Sequence, residues 1–144
     1  MNGIIIVIAI LIFATAFGLW YRTNNGRMQT VAIHTAGAAE HGGEILDART
    51  IGVDLGARAT LVQFSSAFCQ PCRATRQILD EVSGMVDGVV HVDIDAEANL
   101  DLVRALDIRR TPTVLVLDKA GRIRGRASGL PRKVDVIAAL GDLD

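Results

Sequence analysis

The hydrophobic positions of this chain fall into two unlike regimes. Ile4 to Tyr21 (IIIVIAILIFATAFGLWY) is an eighteen-residue run without a charge, apolar on every face of a helix. At a rise of about 1.5 Å per residue it spans about 27 Å, close to the hydrocarbon thickness of a bilayer. Trp20 and Tyr21 close the run, where amphipathic rings settle at headgroup level, and Arg22 and Arg27 follow. Residues 1–21 are therefore expected to form a transmembrane anchor. A cleaved signal sequence is the weaker reading. It wants a positive start and small residues just after the apolar run, where this chain has Met1–Asn2–Gly3 and Leu19–Trp20–Tyr21–Arg22. Ala36–Gly37–Ala38 lies too far downstream to serve. A buried core helix, the weakest reading, is not normally apolar all round. The positive-inside rule, applied to Arg22 and Arg27, puts the remainder on the cytoplasmic side of a cell membrane crossed once. Two arginines are a small bias, and an extracytoplasmic domain is the alternative.

After the apolar run the periodicity changes. Residues 22–43, with Asn24, Asn25, Gly26, Gly37, Gly42 and Gly43, read as a linker, within which Gln29–Ile33 is either a short strand or a juxtamembrane continuation. Residues 44–144 read as one α/β domain. Thr60–Phe64 is a β-prone run. Pro71 opens a helix whose Ile78, Leu79, Val82, Met85 and Val86 share a face, ended by Gly84 and Gly88. Val89–Ile94 is a second strand, and Leu100, Val103 and Leu106 mark a second helix. Thr113–Leu117 and Arg122–Ser128 flank the turn Asp118–Gly121 as a hairpin. A last helix starts at Pro131 with Val134, Ile137 and Leu140 inward. Strand, helix, strand implies a parallel pair through a right-handed crossover, and the hairpin then adds antiparallel strands. The expected architecture is a mixed central sheet sandwiched by helices, preceded by one transmembrane helix.

Composition narrows the function. A net charge of −1, from 15 basic and 16 acidic side chains, supplies no field for nucleic acid, and the few aromatics supply no stacking platform. No nucleic-acid partner is expected. The two cysteines stand three positions apart, too few and too close to staple a fold. Neither they nor His34, His41 and His91 show zinc-ligand spacing, so no metal site is expected. The cysteines read as a chemical feature.

Cys69–Gln70–Pro71–Cys72 falls where strand Thr60–Phe64 gives way to a helix. A cysteine at a helix N-terminus meets unpaired N–H groups and the positive end of the dipole, which stabilise a thiolate. Pro71 suits a first turn, where its missing N–H is not needed. Cys69 is placed to attack a disulfide and Cys72, one turn on and more buried, to resolve the mixed disulfide. Arg73 and Arg76 add positive charge. Thr111–Pro112 lies at the head of the hairpin. A cis peptide there would leave the groups of the preceding residue free to pair with an extended peptide.

The strand–CQPC–helix join, VVHVDID, LDIRRTPTVLVL, Gly121 and Gly129 together resemble the thioredoxin family over about residues 45–142, in the form of a membrane-anchored bacterial member. The resemblance implies a thioredoxin-like sandwich in which Cys69 is the attacking and Cys72 the resolving cysteine. Pro112 is the cis-proline beside them, after Thr111. It implies substrate contacts from Phe68, Gln70, Pro71, Thr111 and Pro112, no cofactor, protein disulfides as substrates and an upstream thiol electron donor. Three positions depart from the family pattern. Phe68 stands for the usual tryptophan, Gln70 for a glycine, and Gln63 for a buried aspartate that assists proton transfer. His91 occupies the place of a lysine near that aspartate and is expected to point outward.

The function expected is a membrane-tethered thiol–disulfide oxidoreductase that reduces or exchanges disulfides in protein partners. The alternative is a redox-inactive binding or assembly module on the same fold, and a metallochaperone use of the CxxC is a third. Arg122, Arg124 and Arg126 alternate along one strand and read as a charged edge resisting strand addition. Asp93, Asp95, Glu97 and Asp101 read as a strand end and a solvated helix start.

Overall fold

The computed structural model describes residues 2–24, 27–30 and 45–143. Most of the expected linker, including Ala36–Gly37–Ala38, Gly42 and Gly43, lies outside them. Helix α1 (Asn2–Asn24) is followed by strand β1 (Gln29–Thr30), helix α2 (Ala48–Ile51), strand β2 (Ala59–Ser65) and helix α3 (Gln70–Met85). Strand β3 (Val89–Asp95), helix α4 (Leu100–Ala105), the hairpin β4 (Thr113–Asp118) and β5 (Ile123–Ser128), and helix α5 (Lys133–Gly141) complete the chain.

The sheet runs β1-β5-β4-β2-β3. Parallel pairing joins β2 and β3, with α3 as the crossover, while β2–β4, β4–β5 and β1–β5 are antiparallel. This is the mixed sheet that the pattern predicts. Strand β2 is central and buried along all seven residues, so it shows no alternation. Its even positions, Val62 and Phe64, join Ile94, Leu106, Leu115 and Leu117 on one face. Its odd positions, Ala59 and Leu61, join Leu79, Val82, Val114, Val136 and Leu140 beneath α3 and α5. Gln63, being odd, shares this second face.

Four local expectations are corrected. Helix α5 buries Val136 and Leu140, not Val134 (64% exposed) or Ile137 (39%), because it meets α3 and the sheet along a stripe offset from the one predicted. Met85 is 64% exposed at the last turn of α3, and Leu100 is exposed at the first of α4. Strand β5 does alternate, with Ile123, Gly125 and Ala127 buried. It is not a free edge, since Gln29 and Thr30 pair with Arg126 and Gly125, and Ile45 bridges Arg122. Helix α2, which the pattern does not predict, is capped by Asp47, whose side chain accepts from the Thr50 N–H at 2.8 Å.

The hairpin turn needs its glycine. Gly121 has φ +80°, and a Cβ there would stand 2.2 Å from the Leu46 carbonyl oxygen. The same close approach lets the Leu46 N–H donate to the Gly121 oxygen at 2.9 Å.

Helix α1 is different in kind. Gly3–Thr23 is long and apolar enough to cross a membrane, and none of it is buried against the rest of the chain.

Candidate redox site

Cys69 is the N-cap of α3, with extended backbone, and its sulfur accepts from the Cys72 N–H at 3.2 Å. A side-chain acceptor at this position satisfies one of the unpaired donors of the first turn, which oxygen side chains usually do. Cys69 Sγ therefore sits at the N-terminal end of α3, against the Cys72 N–H. Cys72 is buried and Cys69 half-buried, and the two form a disulfide. Between them Gln70 and Pro71 are exposed, with the proline in the first turn as expected. Phe68 precedes the pair fully exposed, at 101%.

The Thr111–Pro112 peptide is cis. Ser66, just before the cysteines, ties to it through a 2.9 Å hydrogen bond between its hydroxyl and that of Thr111. From the other side the Gly129 N–H donates to the Pro112 oxygen at 2.7 Å. Arg110 Nη2 donates to the Ser128 oxygen at 2.9 Å, and Thr113 Oγ1 to the Arg110 oxygen at 2.7 Å. The proline loop is thus pinned to both its neighbours. Cys69, Cys72, Phe68, Gln70, Pro71, Thr111 and Pro112 all lie at one end of the sheet, where β2 ends and β4 begins.

Beneath Cys72 runs a polar chain that the sequence alone did not reveal. Gln63 is fully buried, and its Nε2 donates to the Cys72 carbonyl and to Ser65 Oγ, both at 2.9 Å. Ser65 Oγ donates to Asp93 Oδ1 at 2.5 Å. Arg76 Nε donates to Asp93 Oδ2 at 2.8 Å, and Arg76 Nη2 contacts the same oxygen. Carbonyl and carboxylate oxygens only accept, so the direction of every bond in this chain is settled. Gln63 Oε1 is buried and has no hydrogen-bond partner among the described residues.

Two expectations change here. Arg76 is committed to Asp93, so its charge is largely balanced before it reaches the cysteines, leaving Arg73 as the nearby cation of the expected pair. His91 does not point outward. Val89, His91 and Asp93 share the face of β3 turned to α3, and the His91 side chain, 6% exposed, meets Asp80 Oδ1 through Nδ1 at 2.6 Å. Ser65, Ser66 and Asp93 are the site residues that sequence reasoning missed. The only local signal was a pair of serines between a strand and a cysteine.

A family profile described as Thioredoxin matches residues 52–141, more than half of the chain, and the chain belongs to the thioredoxin family. It is 28% identical over 86 residues to Thioredoxin domain-containing protein 2 of Homo sapiens, covering 60% of this chain and 16% of that protein. With Thioredoxin H5 of Oryza sativa subsp. japonica it shares 30% identity over 60 residues, covering 42% of this chain and 44% of the other. This chain thus spans less than half the length of either relative. Among solved structures it is similar to thioredoxin-2, described as a component of malaria parasite protein secretion machinery. The TM-score is 0.57 at 19% identity, over 74% of this chain and 99% of that one. Mitochondrial thioredoxin 3 of Saccharomyces cerevisiae, in its oxidized form, gives 0.53 at 20% identity, over 60% and 79%. At these identities the structures speak for the fold, while the profile match and the Cys69–Cys72 pair place a redox-active CxxC on it.

Proposed function

We propose that this chain is a membrane-anchored protein-disulfide oxidoreductase in which Cys69 attacks and Cys72 resolves. The observation that carries the reading is Cys69 Sγ at the start of α3, accepting the Cys72 N–H, in a thioredoxin-family domain. The same N–H groups and helix dipole stabilise a thiolate on Cys69 once the disulfide is opened. The Cys69 thiolate attacks one sulfur of a partner disulfide, forming a mixed disulfide and releasing the partner's other sulfur as a thiolate. Cys72 gives up its proton and attacks Cys69 Sγ, closing the intramolecular disulfide and releasing the second partner thiol. Two electrons pass from the dithiol to the partner, and an upstream thiol donor must return them.

Substrate contact falls to the exposed surface around the pair. Phe68 offers an apolar ring, Gln70 and Pro71 flank the sulfurs, and Thr111 and Pro112 supply the facing wall. Residues 1–21 anchor the protein in a cell membrane by a single pass, supported by the 21-residue exposed apolar helix. Residues 22–43 connect it to the domain at 44–144, and within them Gln29 and Thr30 already pair with the sheet. Arg22 and Arg27 favour a cytoplasmic domain. A bacterial setting accords with the anchored form that the sequence resembles, whereas the relatives named above come from human and rice.

Exchange with a disulfide-bonded protein substrate tests the reading. Cys69→Ser should abolish it, and Cys72→Ser should accumulate a mixed disulfide visible on non-reducing gels. The replacement of the family's buried acid by Gln63 motivates the second reading, a binding module without turnover. A double Cys→Ser variant that complements fully in cells would support that module and sink the oxidoreductase.

A further inference from the structure

The point at which the chain enters the domain limits which way the domain can face. Strand β1 pairs antiparallel with β5, Gln29 opposite Arg126 and Thr30 opposite Gly125. Residues before Gln29 therefore run towards Ser128, which lies opposite Thr113, itself opposite Phe64. That is the end of the sheet carrying Cys69, Cys72 and Pro112. The membrane helix thus joins the domain at its redox end and not at the hairpin turn.

The join is also short. Helix α1 ends at Asn24 and β1 begins at Gln29. Five residue steps reach at most about 18 Å when fully extended. Part of that reach is already used. Arg27 Nε donates to the Thr23 carbonyl at 2.8 Å, tying the tether back to the last turn of α1. Met28 packs against the cluster under α3 and α5, and a Cβ on Gly125 would lie 3.6 Å from its sulfur. A cleft of about 540 Å³ lies between the two parts, lined by Leu19, Arg22 and Thr23 of the helix and by Leu130 and Pro131. Leu130 and Pro131 directly follow Gly129, whose N–H holds the Pro112 carbonyl. The hairpin turn, by contrast, lies about 20 Å further out, the length of the six-residue strand β4 at about 3.3 Å per residue.

The chemistry of this end suits a bilayer surface. Phe68 is fully exposed and Leu130 is 41% exposed, and Arg22 and Arg27 stand on the tether side. Aromatic and aliphatic side chains beside arginines are the composition of the headgroup layer. Arg132 contributes less, being paired with Asp135 at 2.8 Å.

We infer that the redox end rests against the membrane surface through Phe68 and Leu130. The disulfides that reach Cys69 are then those held at headgroup level by membrane-embedded partners, not those of freely diffusing proteins. The inference deepens the proposed function and rests on α1 being a retained anchor.

The test uses the full chain in vesicles of phosphatidylcholine and phosphatidylglycerol carrying a quencher near the headgroup. Native Trp20 reports first whether α1 is in the bilayer. If it is not quenched, the anchor reading fails and this inference falls with it. In a Trp20→Phe background, Phe68→Trp and Ala120→Trp then place single probes at the redox end and at the hairpin turn. Quenching several-fold stronger for Phe68→Trp is the expected result. Equal quenching, or stronger quenching at Ala120→Trp, overturns the inference while leaving the anchor intact. A flexible Gly/Ser insert of about twenty residues after Gly26, with an r.m.s. reach of about 25 Å, should erase the difference and speed exchange with a soluble disulfide protein. Unchanged quenching and unchanged exchange after the insert would also overturn it. Quenching needs no turnover, so an inactive dithiol would sink the proposed function without altering the result on placement.

Discussion

Helices α1 and α3 have the same backbone and opposite relations to their surroundings. Helix α1 is apolar on all faces, and the structure buries none of its Gly3–Thr23 stretch. Helix α3 is polar over most of its surface and buries Cys72, Thr75, Leu79 and Val82 along one stripe. Apolar content therefore does not by itself place a helix in a core. An amphipathic stripe needs one partner surface, while an all-round apolar helix needs apolar surroundings on every side, in a protein interior or a bilayer. The contrast extends to the termini. The start of α3 turns the Cys72 N–H to the Cys69 sulfur. The end of α1 is closed by the Arg27 side chain on the Thr23 carbonyl.

The largest effect that separates the two helices is a leucine truncation. Leu79 is fully buried, and Leu79→Ala should cost the domain about 2–5 kcal/mol in urea unfolding. Leu11→Ala in α1 should leave the unfolding midpoint of the domain where it was, since Leu11 touches no core. Equal losses in the two variants would mean that α1 packs on the domain and would break the comparison.

A smaller effect sharpens the chemistry beneath α3. Gln63→Leu should leave the Cys72 carbonyl and Ser65 Oγ each short of a donor while relieving the unpaired Gln63 Oε1. A net cost of about 1 kcal/mol is expected, measured on the disulfide form. A stabilised variant would show that the orphaned oxygen outweighs both bonds.

The smallest concerns the cap of α2, the short helix that the hydrophobic pattern does not predict. The Thr50 hydroxyl first, and then the Thr50 N–H, hold the Asp47 carboxyl below its ordinary range. A lowered folded-state value means that the contribution is complete above the unfolded value of about 3.9 and is lost as pH falls through the folded one. Asp47→Asn should therefore shrink the drop in unfolding midpoint between neutral pH and about pH 3, where Asp titrates. An unchanged drop would assign the acid sensitivity to other carboxylates.

Much of this was legible along the chain. The uncharged run Ile4–Tyr21, the order of strands and helices, and the CxxC at a strand–helix join depend on local periodicity and on residues close in sequence. Such features survive in a one-dimensional reading because hydrogen bonding within a helix and the alternation of a strand are local. Cys69 and Cys72 could be singled out because the chemistry of a helix start lies within one turn.

What only the tertiary structure decided lies between elements. The path Cys72–Gln63–Ser65–Asp93–Arg76 joins α3, β2 and β3, and exists because parallel pairing sets Gln63 opposite Asp93 and Ser65 opposite Asp95. His91 turned inward to Asp80 because odd positions of β3 face α3, and Val134 turned outward because α5 meets α3 along an offset stripe. The entry of the chain at the redox end follows from the pairing of Gln29 and Thr30 with β5, a register that two residues cannot announce by themselves. These are matters of which surfaces meet, and a sequence specifies them only through the summed packing of residues far apart along it.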